Sequence, residues 1–211
     1  MTQPDARLSE RFFAALHYAA ELHNRQLRKG TSAPYISHLM AVASLVLEHG
    51  GGEDEAIAAL LHDAIEDQAE HRGGAAALRA EIGDRFGVTV LGIVNACTDA
   101  EVTPKPPWQA RKECYIRHLL ETPDPAYHRV SIADKLHNAR SMLLDYRIHG
   151  EALWQRFNRR NPADHLWYYR SLAEAFRSVG LAPQALIDEL DRVVAALEAL
   201  VAGAPGSVTG K

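Results

Sequence analysis

Ala59-Leu60-Leu61-His62-Asp63-Ala64-Ile65-Glu66-Asp67 sets four ionisable side chains into an otherwise apolar stretch. Read as a helix at ~100° per residue with His62 at zero, Glu66 falls at about 40°, Asp63 at about 100° and Asp67 at about 140°. All four share one arc, and that arc abuts Ala59, Leu60 and Leu61, where an ionised carboxylate needs a cation or hydrogen bonds. The same helical spacing of apolar residues continues along the chain, as in Phe12, Phe13, Leu16, Ala19 and Ala20, and again in Leu186, Leu190, Val193, Val194 and Leu197. Alternating, strand-like runs are essentially absent. The periodicity predicts helices near 8–25, 36–49, 53–70, 74–85, 87–97, 108–121, 126–146, 150–158, 163–179 and 183–202. An all-α, compact single-domain bundle of about ten helices is expected.

Breakers separate these segments, among them Pro34, Gly50-Gly51-Gly52, Gly73-Gly74, Pro106-Pro107, Gly150 and Pro162. None is long enough for an interdomain linker. The expectation is one helical domain over 1–203, its motif-bearing core at 12–145 and its C-terminal helices at 150–203, followed by a small, polar, floppy tail at 204–211. The amphipathic helix at 183–202 could pack on its own core or on a partner's, and no oligomer is predicted.

Composition narrows the function classes. The 211 residues are 47% apolar and carry a net charge of −4. No global basic field exists to hold a nucleic-acid backbone, so any anionic ligand must be gripped locally. No apolar run approaches the ~20 residues a membrane span needs, and no membrane partner is expected. Met1 to Arg7 lacks a basic segment followed by an apolar one, which makes a cytoplasmic protein the expectation. Two cysteines, Cys97 and Cys114, are too few for a disulfide framework and are expected to be buried thiols. Eleven histidines are a richer resource, since histidine is the commonest metal ligand.

Two further polar elements stand out. In Ser131-Ile132-Ala133-Asp134-Lys135-Leu136-His137-Asn138-Ala139-Arg140-Ser141, the residues Asp134, Asn138 and Ser141 recur at i, i+4 and i+7 and share a helix face. In Pro34-Tyr35-Ile36-Ser37-His38, the histidine opens the apolar helix Leu39-Met40-Ala41-Val42-Ala43. Taken singly, each has an ordinary explanation. A histidine at a helix start is usually a capping or core residue, an Asp-Lys pair is usually solvated, and Glu66-Asp67 alone is an ordinary charged helix face. Taken together and in order, they are poorly explained by chance.

That order resembles the H…HD…D metal signature of the HD phosphohydrolase superfamily, at His38, His62-Asp63 and Asp134. More narrowly, Arg28-Lys29, Pro34 to His38, Ala59 to Asp67, Phe86-Gly87, Thr98-Asp99 and Ala133 to Arg140 look like the hydrolase domain of RelA/SpoT proteins, which remove the 3′-pyrophosphate of ppGpp and pppGpp. The resemblance covers roughly 12–145. The chain is too short to hold the synthetase or regulatory domains as well, so a stand-alone small alarmone hydrolase is expected, similar in layout to those of metazoa.

The resemblance implies His38, His62, Asp63 and Asp134 as metal ligands, a mixed N/O set that suits Mn²⁺, with another divalent metal possible. It implies Glu66 and Asp67 as the catalytic acidic pair. It implies Arg28 at the base, Lys29 and Lys105 at phosphates, and Asn138 and Ser141 at the nucleotide, with Tyr168 a candidate phosphate contact whose alternative is aromatic packing. Departures from the pattern are Gln68 where the family often has Thr, Ser141 where it has Thr or Asp, and Lys105-Pro106-Pro107-Trp108 in place of the usual loop. The expected partner is a small-molecule nucleotide. Rival readings are an adenine alarmone or the 2′-phosphate of NADPH as substrate, and a non-catalytic nucleotide sensor. His49-Gly50-Gly51-Gly52 resembles a lipase oxyanion loop, but no Gly-x-Ser-x-Gly elbow accompanies it, and it reads as a helix stop.

Overall fold

The structure, a computed structural model, describes residues 8–98 and 106–204. Its described residues are helical, with a lone antiparallel bridge between Leu27 and Pro34 as their only β pairing. The all-α expectation therefore holds. The chain divides into two compact units, Met1–Thr103 and Pro104–Lys211. No described helix is long and apolar enough to cross a membrane.

The first unit holds α1 (Glu10–Leu22), α2 (Ile36–Glu48), α3 (Glu53–Leu61), α4 (Ala64–Gln68), α5 (Ala75–Phe86) and α6 (Val88–Cys97). Its centre is α3, which packs on α1, α2 and α6. Every residue from Ala56 to Leu61 is buried, so the small alanines let neighbouring helices approach while Ile57, Leu60 and Leu61 fill the space between them. Each such Leu or Ile contributes about 1.5–3 kcal/mol by leaving water. α2 stops as its sequence predicts: Gly50 takes φ +81°, a conformation glycine adopts without strain, and the Gly51 amide donates to the Val46 carbonyl at 2.8 Å.

The second unit holds α7 (Trp108–Glu121), α8 (Pro125–His149), α9 (Pro162–Val179) and α10 (Gln184–Ala202). α8 starts where Asp124 accepts the Ala126 amide at 2.9 Å and Pro125 occupies the first turn. α10 buries Leu186, Ile187, Leu190, Val193, Val194 and Leu197, and packs on α8 and α9 of its own unit. Of the two options left by the sequence for this helix, the structure takes its own core.

Three expectations need correction. The segment 53–70 is not one helix: α3 ends at Leu61, α4 begins at Ala64, and Ala69–Arg72 is 3₁₀. The cause is the His62 ring, whose Nδ1 lies 2.8 Å from the Ala59 carbonyl. A continuous helix would give that carbonyl to the Asp63 amide, so the imidazole ends the ladder. The single arc assumed for His62, Asp63, Glu66 and Asp67 is therefore interrupted at its first member: His62 caps α3, while Asp63 caps the α4 that carries Glu66 and Asp67. The segment 150–158 is likewise a 3₁₀ stretch over Gly150–Arg156, not an α-helix. The thiols are not buried: Cys97 is half-buried and Cys114 exposed, because α7 turns Tyr115 and Leu119 inward and leaves Cys114 outside. The expected tail, apart from Ala204, and the Thr98-Asp99 and Lys105 positions, apart from Thr98, lie outside the described residues.

Candidate metal centre and acidic pair

In the first unit the break between α3 and α4 is the centre of the site. His62 closes α3, Asp63 precedes α4, and His38 enters from the first turn of α2. Both histidines are buried, at 1% and 3% exposure. Their rings meet edge to face with centroids 5.3 Å apart. His62 Nε2 lies 3.0 Å and His38 Nε2 3.8 Å from the same oxygen, Asp63 Oδ2.

These atoms suit a divalent cation. Ligands bonded at about 2.0–2.2 Å to one ion stand about 3 Å or a little more from one another, the scale seen here. The Ala59 carbonyl accepts from His62 Nδ1, so Nδ1 carries a proton and Nε2 is the ring nitrogen that faces Asp63. Asp63 is steadied in turn by the Tyr35 hydroxyl, which donates to Oδ2 at 2.5 Å.

Glu66 and Asp67 follow on α4, the first half-buried and the second exposed. Asp67 Oδ2 accepts from Gln26 Nε2 at 2.7 Å. Gln26 belongs to the segment after α1, which ends at Leu22 rather than at 25 because His23 turns inward. The His23 ring is 2% exposed, stacks on Tyr35 at 5.2 Å, and places Nδ1 2.7 Å from Gln26 Oε1. Burial pushes its pKa down from the ordinary histidine value, against the opposing pull of its hydrogen bond to Gln26 and of Asp63. A cleft of about 610 Å³ opens beside Asp67, with Glu21, Arg25, Gln26, Gln68 and Arg72 along it.

The loop bridged at Leu27 and Pro34 carries Arg28 and Lys29. Arg28 is half-buried with its guanidinium 5.8 Å from the Tyr35 ring centre, and Lys29 is exposed.

In the second unit Asp134 is buried on α8. Its Oδ1 accepts from Asn138 Nδ2 at 2.5 Å and its Oδ2 from Lys135 Nζ at 2.7 Å, as the i, i+4 spacing of Asp134 and Asn138 predicts. Burial alone would push the Lys135 ammonium down. The Asp134 carboxylate, with Tyr115 and Tyr168, outweighs it and holds the group well above its usual value. Ser141 turns its hydroxyl back to the His137 carbonyl at 2.9 Å. Tyr168 is buried edge-on to Trp108, with ring centres 6.0 Å apart and Lys112 Nζ 4.9 Å from its own.

Comparison with known proteins gives this arrangement its family. Residues 15–162 match the HD domain, a span that runs across the boundary between the two units. The chain belongs to the HD-domain family. Over 131 residues this HD domain is 37% identical to a guanosine-3′,5′-bis(diphosphate) 3′-pyrophosphohydrolase of Xenopus tropicalis, covering 61% of this chain and 67% of that one. Over 135 residues it is 33% identical to the enzyme of the same name from Aquifex aeolicus, of which it spans 18%. Among solved structures it is similar to a metazoan orthologue of SpoT described as hydrolysing ppGpp, at a TM-score of 0.69 and 25% identity over 92% of this chain and 96% of that one. It is also similar to a Listeria monocytogenes structure at a TM-score of 0.63 and 27% identity, over 74% and 96% of the two chains. An HD domain implies a divalent-metal site, and the buried donors of this one fit it.

Sequence reasoning missed the residues behind that site. Tyr35 stands inside a recognised motif without a role, His23 falls inside the expected helix 8–25, and Gln26 lies just beyond its end. Their partners Asp63 and Asp67 lie 28 and 41 residues away, a separation at which no local periodicity carries a signal.

Proposed function

We propose that this HD domain is a divalent-metal-dependent phosphohydrolase that removes the 3′-pyrophosphate of guanosine alarmones such as ppGpp and pppGpp. The observation that carries the reading is the pair of buried histidines, His38 and His62, facing the half-buried Asp63, with Glu66 and Asp67 one turn further on, in a chain 37% identical to an alarmone pyrophosphohydrolase.

The metal ligands are His38, His62, Asp63 and, on the H…HD…D signature, Asp134. The mixed nitrogen and oxygen set favours Mn²⁺. When bound, such a cation supplies Lewis-acid polarisation of a phosphoryl oxygen and acidifies water. Glu66 and Asp67 orient the attacking water and manage its proton. Water adds to the phosphorus next to the 3′-oxygen, the bond between them breaks, and the ribose oxygen leaves with a proton, giving a 3′-hydroxyl and free pyrophosphate. Arg28 borders the base, while Lys29 and Lys105 hold phosphates, a local cationic grip that a chain of net charge −4 requires. Asn138 contacts the nucleotide, and Ser141 and Tyr168 are assigned to it by position alone. The substrate is a small cytoplasmic nucleotide.

The test is product analysis with Mn²⁺ against ppGpp, pppGpp, the adenine analogue and NADPH, separating pyrophosphate from phosphate. Pyrophosphate from ppGpp, absent with Asp63→Ala, is the expected result. Glu66→Gln should keep the metal and lose turnover by ~10²-fold or more. Phosphate from NADPH alone would keep the metal centre and replace the substrate, and nucleotide binding without turnover of any of the four would overturn the enzyme reading.

A further inference from the structure

Gln26 makes a set of contacts that neither the metal signature nor the acidic pair explains. Its Nε2 donates to Asp67 Oδ2 at 2.7 Å. Its Oε1 accepts from Gln68 Nε2 at 2.6 Å and from His23 Nδ1 at 2.7 Å. Those partners fix which end of the amide is which: only nitrogen can face a carboxylate, and only oxygen can take two donors. Gln68 Nε2 and His23 Nδ1 approach to 3.4 Å because both point at that one oxygen. The main chain of Gln26 is committed as well. Its amide donates to the His23 carbonyl at 2.9 Å, and its carbonyl accepts from the Tyr35 amide at 2.9 Å. The second bond, with Arg28 N to Ala33 O at 2.9 Å, closes the loop that bears Arg28 and Lys29.

One residue thus ties the Arg28–Lys29 loop by its backbone and Asp67 by its side chain. We propose that Gln26 is a positioning residue for Asp67: its amide, locked from behind by His23 and Gln68, fixes the carboxylate in register with the loop that holds the substrate. The inference rests on the catalytic assignment of Asp67 made above. It gives Gln68 a physical role, since its amide reaches Gln26 Oε1 from behind.

The test uses Gln26→Met, which keeps the shape and loses the donor, and Gln26→Glu, which sets a second carboxylate against Asp67. With ppGpp and Mn²⁺, Gln26→Met should lower kcat roughly 10–100-fold, the range for partners behind a reacting group, with KM and Mn²⁺ affinity unchanged within about threefold. Gln26→Glu should lower kcat at least as far through like-charge repulsion. Added to Asp67→Asn, Gln26→Met should cost less than threefold more, since the group it positions is already lost. An undiminished loss in that background, or a Gln26→Met protein with wild-type kcat, overturns the positioning role. Wild-type turnover by Asp67→Asn instead removes the catalytic assignment on which it rests. A readout free of substrate separates the two: the Gln26 side-chain amide should exchange slowly with solvent in the wild type and rapidly in Asp67→Ala. Exchange as fast as that of an exposed glutamine in the wild type overturns the proposal whatever the substrate proves to be.

Discussion

At Asp63 a single carboxylate oxygen meets His62 at 3.0 Å, His38 at 3.8 Å and the Tyr35 hydroxyl at 2.5 Å. The hydroxyl orients that oxygen, and Tyr35→Phe removes the bond while keeping the ring against His23. Such a change should weaken divalent-metal binding roughly 10–100-fold, read by calorimetry, with global stability altered by about 1 kcal/mol or less. His38, His62, Asp63 and Asp134 were legible in the sequence because few other side chains can ligate a metal and because their order forms a signature. Tyr35, His23 and Gln26 were not legible, because hydrogen-bonding side chains are common and only folding brings these to their partners. Ser141 lies on the predicted face, and its hydroxyl donates to the His137 carbonyl within its own helix, a bond that the face pattern does not announce.

Among the elements, most helix positions followed from apolar spacing, and the exceptions lie where a side chain competes with the backbone. The division of 53–70 into α3 and α4 turns on the His62 ring taking the Ala59 carbonyl, a contact that periodicity cannot register because it concerns the ring rather than the pattern. α10 is the opposite case, its buried positions being those its amphipathic spacing named. Leu190, fully buried where α10 meets its unit, should cost about 2–5 kcal/mol on truncation to alanine. Leu200, 39% exposed on the same helix, should change urea-unfolding stability by no more than about 0.5 kcal/mol on the same truncation.

For the molecule as a whole, buried histidines make stability depend on pH. His128 is fully buried, with Nε2 donating to the Thr122 carbonyl at 2.8 Å and Nδ1 without a hydrogen-bond partner among the described residues. Burial pushes its pKa below the ordinary 6.5, against the opposing hydrogen bond to Thr122 and the charge of Asp124. The folded protein then binds fewer protons than the unfolded chain, so this contribution is complete above pH 6.5 and is lost as pH falls from there toward the lowered value. Urea midpoints measured from pH 7.5 downward should decline below about pH 6.5, and His128→Gln, although less stable throughout, should show a shallower decline. The loop between Leu27 and Pro34 has a different whole-molecule consequence. Its ends are already bonded, so the chain entropy needed to shape it is spent during folding rather than at ligand capture. Nucleotide titrations at several temperatures should therefore show a small heat-capacity change, the calorimetric mark of a ligand settling onto a finished surface rather than moulding one.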